Sequence, residues 1–161
     1  MSNMNFEQLD NLKGFMPSHE GLALTKWAEE FSCHGPALEI GTFGAKSSLY
    51  LAAGSSIHNQ LVYTVDHHSG SEEHQLGEEY FDPEIYDERL GRVNTVPLMQ
   101  ANLQKFEESK WVVPILQMQI LLRPHGEQNW GSYLLMAVTP KSLQWMIMII
   151  GTLNSILMGH W

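Results

Sequence analysis

The chain is poor in cysteine, in basic side chains and in long apolar runs. Its one cysteine, Cys33, leaves no internal disulfide to form, and the start MSNMNFEQLD has neither the basic nor the apolar stretch of a secretory leader. A reducing, cytoplasmic setting is the expectation. Nine Lys and Arg stand against eighteen Asp and Glu, a net charge of -9, with no basic stripe able to neutralise a phosphate backbone. Nucleic acid is therefore not an expected partner. The most apolar stretch, residues 143–158, includes Gln144, Gly151, Asn154 and Ser155 and falls short of the roughly 20 apolar residues that span a bilayer. No membrane partner is expected either. Repeats and low-complexity tracts are also missing.

What is present suffices for one domain: 161 residues, 43% hydrophobic and 17% charged. The charge is unevenly spread. Residues 1–116 carry 24 of the 27 charged side chains, whereas residues 117–161 hold only Arg123, Glu127 and Lys141 together with five of the nine Met. The expected organisation is a folded region over 1–116 followed by an atypical apolar tail over 117–161.

Periodicity predicts alternating elements. Ser18 after Pro17 is placed to cap a helix over about 18–31, with Leu24, Trp27 and Phe31 near one face. Gly35 and Pro36 then break the chain, and ALEI from Ala37 to Ile40 reads as a short buried strand stopped by Gly41. A glycine turn leads into a helix from Lys46 that Gly54 and Ser55 end. LVYTVD from Leu61 to Asp66 is a second β-branched strand, which completes a βαβ unit. Pro97 starts a further helix through Phe106, and VVPIL from Val112 to Leu116 is a third strand. This alternation implies a parallel sheet covered by helices.

Three constellations carry possible chemistry. In EIGTFGAKSS, Gly41 and Gly44 let the backbone turn tightly and approach a ligand without a Cβ in the way, with the amides of the following helix facing that ligand. The spacing is GxxG rather than the GxGxxG of nicotinamide sites. Glu39, two places ahead, would repel a pyrophosphate but suit a cationic sulfonium. Second, Asp66 closes the next strand, where a carboxylate can accept hydrogen bonds from ribose hydroxyls. The plain alternatives are a turn that needs glycine for geometry and an Asp that caps the following loop. Third, DHHSGSEEH over 66–74 gathers three His among carboxylates, a composition compatible with a divalent metal. It contains no HxxxH pair or CxxC knuckle. The segment 77–92, with Pro83 fixing a turn, reads as an ordered loop or short helix that could serve as a lid. Cys33 has only His34 beside it, and Ser47 and Ser48 lack a GxSxG setting, so no nucleophile is expected.

The strings GFMPSHEGLALTKWA, ALEIGTFGAKSSLYLAA, VYTVDHHSGSEEHQLGEEYFDPEIYDERLGRVNTVP and WVVPIL resemble bacterial class I S-adenosylmethionine-dependent methyltransferases, in a group with a DHH-GSEEH loop. The resemblance covers roughly residues 14–116. It implies an α/β, Rossmann-like, three-layer αβα sheet, S-adenosylmethionine as cofactor and a small-molecule methyl acceptor. The expected cofactor contacts are Glu39, Gly41, Thr42, Phe43, Gly44, Ser47, Asp66 and His67. No catalytic base is assigned, with His67, His68 and His74 candidates by chemistry alone. Members of the group often carry the second turn glycine one place later, where this chain has Ala45. Two rival expectations remain: a noncatalytic nucleoside-binding pseudoenzyme, and a metal-dependent hydrolase built on the His-rich loop.

The resemblance stops near Leu116, where family members continue with a strand ending in a pattern like FIDGGH. Reading the tail from the third base of each codon restores it. Met136 ends in G and Ala137 begins GC, which forces GGC, glycine; Trp145 with Met146, and Met146 with Ile147, each force GAT, aspartate. Permitted synonymous codons let residues 132–140 spell LFIDGGHS and residues 144–151 spell MDDYDNW. The expectation is a sheet left incomplete by a small insertion or deletion near codon 116. Sequencing the coding DNA tests it: the bases should spell both strings in the shifted frame, and a series unable to do so removes the frameshift.

Overall fold

A computed structural model describes residues 4–70, 74–116, 133–137 and 146–150. The elements, in chain order, are α1 (Phe6–Asp10), α2 (Ser18–Phe31), β1 (Ala37–Ile40), α3 (Lys46–Ser55), β2 (Val62–Asp66), a two-stranded hairpin β3 (Tyr86–Asp87) and β4 (Arg92–Val93), α4 (Val96–Leu103), β5 (Val112–Leu116), β6 (Tyr133–Ala137) and β7 (Met146–Ile150). The chain forms a mixed α/β fold in which β5, β2 and β1 run parallel, an arrangement compatible with a Rossmann-like sheet. Pro114 sits in the outermost of these strands, where a missing amide is tolerated. Beyond β1 the sheet continues with β6, parallel, and β7, antiparallel, so the tail supplies two strands rather than none.

Strand register sorts the residues of the sheet into two faces. Ala37 pairs with Val62, and Glu39 with Thr64; all four are buried on the side that meets α3, and Val112 joins them. The core lies on this side, where Leu49, Leu51, Tyr50 and Ala53 of α3 pack with Leu9, Leu24, Ala28, Val62 and Phe106. On the other face Leu38, Ile40 and Tyr63 are half-buried and Val65 is buried, while Ile115 beyond them is exposed. The helices packed together, α1, α2 and α3, make one layer against the sheet. A second covering layer, as the three-layer expectation requires, is not among the described elements. Among the described residues no helix is long and apolar enough to cross a membrane.

Three local expectations are corrected. Pro17, not Ser18, occupies the N-cap of α2, and the Ser18 hydroxyl is spent on Asp10 Oδ2 at 2.6 Å. The buried stripe of α2 is Gly21, Leu24 and Ala28, leaving Trp27 39% exposed. Small residues win this face because α3 approaches closely. A Cβ on Gly21 would stand 2.3 Å from the Tyr50 ring, and one on Gly54 would stand 2.2 Å from the Thr25 carbonyl oxygen. α4 also ends sooner than expected, at Leu103, with Phe106 turned into the core.

Helix propensity alone would reward Gly54→Ala by about 1 kcal/mol. Here the methyl meets backbone that cannot yield, so the substitution should cost about 2–3 kcal/mol in urea unfolding. A neutral or stabilising result would mean that the helices do not pack this closely.

Candidate functional site at the carboxyl ends of the parallel strands

Asp66 ends β2 and faces the turn between β1 and α3. Its Oδ2 accepts the amides of Thr42 at 2.7 Å and Phe43 at 2.8 Å, and its Oδ1 accepts the amide of His68 at 2.9 Å. One carboxylate therefore fastens the turn after one strand to the end of its neighbour. Burial alone would push the Asp66 carboxyl up, but the amides of Phe43, His68 and Thr42 and the adjacent His68 ring outweigh it and hold the group below its ordinary 3.8.

The turn is held in strained backbone. Gly41 adopts φ 94°, Phe43 φ 47° and Ala45, the residue before α3, φ 63°. Ala45 thus sits in the left-handed conformation that favours glycine, at the place where the resembling family often has one. Gly44 serves close packing instead: its carbonyl accepts Asn102 Nδ2 at 2.9 Å, and a Cβ there would crowd Asn102 and Leu98 of α4. No side chain caps the amino end of α3.

Glu39 does not enter an open cleft. It is fully buried behind the turn, where its two oxygens accept the hydroxyls of Ser47 and Ser48. Thr64, its partner in register, meets Thr42 hydroxyl to hydroxyl at 2.5 Å. Burial pushes the Glu39 carboxyl up, against the opposing pull of Ser47, Ser48 and Thr64. Ser47 is accordingly committed to Glu39, and the amides of Thr42 and Phe43 to Asp66. Glu39 and Ser47 thus bond each other beneath the turn. Glu39 and Asp66 nevertheless belong to the same side of the sheet by register, since Thr64 and Asp66 alternate with Val65.

The His-rich loop divides. His67 is exposed, and its Nδ1 accepts the Ser69 amide at 3.0 Å. His68 is buried at φ 56°, with Nδ1 2.6 Å from the Thr95 hydroxyl. Its pKa is lowered, chiefly by burial. His74 is buried too, within a row of rings that runs from Phe43 to the 65% exposed Phe15 (5.6 Å between centroids), then His74 (6.2 Å) and Tyr80 (6.3 Å). The remaining members, 71–73, lie outside the described residues. Among the described residues no group of three or more His, Cys, Asp or Glu is gathered as a metal site.

Sequence reasoning did not find the amino-terminal arm. The largely buried Lys46 ammonium donates to the Asp10 carbonyl at 2.7 Å and lies 3.6 Å from the Asp10 carboxylate, while Lys13 pairs with Asp82 and Glu84 of the segment expected as a lid. Residues 10–15 consequently bind the start of α3 on one side and the 82–84 segment on the other. The signal available was the oddity of a lysine directly after an EIGTFGA turn.

No known family model matches the chain.

Two measurements probe the geometry. Ala45→Gly should leave stability unchanged or raise it by up to about 1 kcal/mol, because relief of left-handed strain offsets the lost methyl, whereas Ala45→Val should destabilise. In acid, unfolding free energy should begin to fall below about pH 6.5, as the unfolded chain protonates His68 before the folded one does. A second loss should follow below about pH 4, as pH drops through the depressed Asp66 pKa. Asp66→Asn should diminish that second step, the remainder belonging to Asp10, Asp82 and Asp87, whose carboxyls are also held below their ordinary value, and should cost about 2 kcal/mol at neutral pH. A variant as stable as the parent at pH 7 would contradict the clamp.

Proposed function

We propose that this chain is an S-adenosylmethionine-dependent methyltransferase of the class I type, acting on a small-molecule acceptor in the cytoplasm. One observation carries the reading: the acid closing β2 and the glycine turn after β1 meet at the carboxyl edge of a parallel sheet, the usual place for a nucleoside ligand in open α/β sheets. The resemblance over residues 14–116 adds the cofactor's identity. Asp66 would hold the ribose, with His67 and the turn Gly41, Thr42, Phe43 and Gly44 beside the ligand. The bound cofactor would supply a sulfonium methyl to an incoming lone pair, which requires alignment above all.

Glu39 and Ser47 take a positioning part. The carboxyl lies behind the turn and fixes the first turn of α3 through Ser47 and Ser48.

Calorimetry on the full chain tests the proposal. S-adenosylmethionine and S-adenosylhomocysteine should each bind one per chain, and NADH should not. Absence of binding by both adenosyl compounds would refute the reading. Binding without transfer to any acceptor would favour the noncatalytic alternative, for which the compositional break at residue 116 is the supporting observation.

A further inference from the structure

Resting on the adenosyl reading above, a count of lone pairs at Asp66 leads one step further. A carboxylate offers about four acceptor sites, two on each oxygen. Oδ2 already takes the amides of Thr42 and Phe43, and Oδ1 takes that of His68. A single site remains, on Oδ1. A ribose presents two adjacent hydroxyls, so Asp66 cannot hold both while it fastens the turn.

The second partner is written in the cost of holding His68. Its backbone is in the left-handed region, at φ 56°, which is unfavourable for a residue with a Cβ. The residue is only 4% exposed. Thr95 stands at the N-cap of α4, where a hydroxyl ordinarily accepts a helix amide; here it makes no cap bond and meets His68 Nδ1 instead. The backbone is fixed from both ends as well, since the Thr95 amide donates to the His68 carbonyl at 3.1 Å. Three unfavourable features thus converge on fixing one imidazole. Nδ1 is spent on the Thr95 hydroxyl, and among the described residues Nε2 has no hydrogen-bond partner.

We propose that His68 shares the ribose diol with Asp66: one hydroxyl bonds the remaining site on Oδ1 and the other bonds His68 Nε2. The assignment holds for either tautomer, because a hydroxyl both donates and accepts. The Thr95 hydroxyl is complementary to Nδ1 in the same two ways.

The test compares S-adenosylhomocysteine with its 2′-deoxy and 3′-deoxy analogues on the full chain, using the wild type and His68→Asn; asparagine tolerates the left-handed backbone but is too short to replace Nε2. His68→Asn should weaken S-adenosylhomocysteine about tenfold. For one of the two analogues the variant and the wild type should bind equally, because the hydroxyl that Nε2 serves is gone. Equal weakening of the parent ligand and both analogues, or no weakening at all, overturns the role of His68 and leaves the adenosyl reading standing. Failure of S-adenosylhomocysteine to bind the wild type overturns both. Should His68→Asn not fold, nitrogen-15 histidine spectra of the wild type decide: Nε2 of His68 should shift with S-adenosylhomocysteine and stay in place with one deoxy analogue, and an unmoved Nε2 in the bound protein rejects the assignment.

Discussion

The grip of one carboxylate on three backbone amides holds this site together. Asp66 takes Thr42, Phe43 and His68, and by doing so it joins the turn after β1 to the loop after β2. Such charge-assisted bonds are stronger than neutral ones and lose value only when the acid is protonated. Around this joint the backbone tolerates three non-glycine residues at positive φ, namely Phe43, Ala45 and His68. Strain of that kind persists where neighbouring contacts over-determine the conformation. Asp66 supplies those contacts from the front, and the buried Glu39 with Ser47 and Ser48 supplies them from behind.

The two acids illustrate opposite uses of one chemical group. Asp66 keeps a depressed pKa because amides surround its charge, whereas burial drives Glu39 up despite two serine hydroxyls. Their separation across the turn gives a layered arrangement: a polar foundation, a strained loop, then an acid with a single acceptor site to offer.

Much of the framework was legible in the residues. Strands Ala37–Ile40 and Val112–Leu116 and helix Ser18–Phe31 coincide with their expected bounds, because β-branched runs punctuated by Gly and Pro leave little choice. The pairing of the glycine turn with Asp66 was legible too. The direction of Glu39 was not, since its fate depends on hydroxyls eight and nine residues away on a helix whose rotation only packing sets. Nor was His68, which owes its position to Thr95, 27 residues on. Ser18 misled because a hydroxyl that can cap a helix can equally bond an acid brought close by tertiary structure.

The amino-terminal arm has a consequence for anyone trimming this chain. Asp10 gathers the Ser18 hydroxyl and the Lys46 ammonium, and the Lys46 side chain is only 8% exposed. A version beginning at α2 would keep β1, β2 and β5, yet it would take from the largely buried Lys46 its counterion, next to the turn after β1. Residues ahead of Met16 are thus masonry, not scaffolding, and their removal would also take Phe15 from the Phe43 ring of that turn.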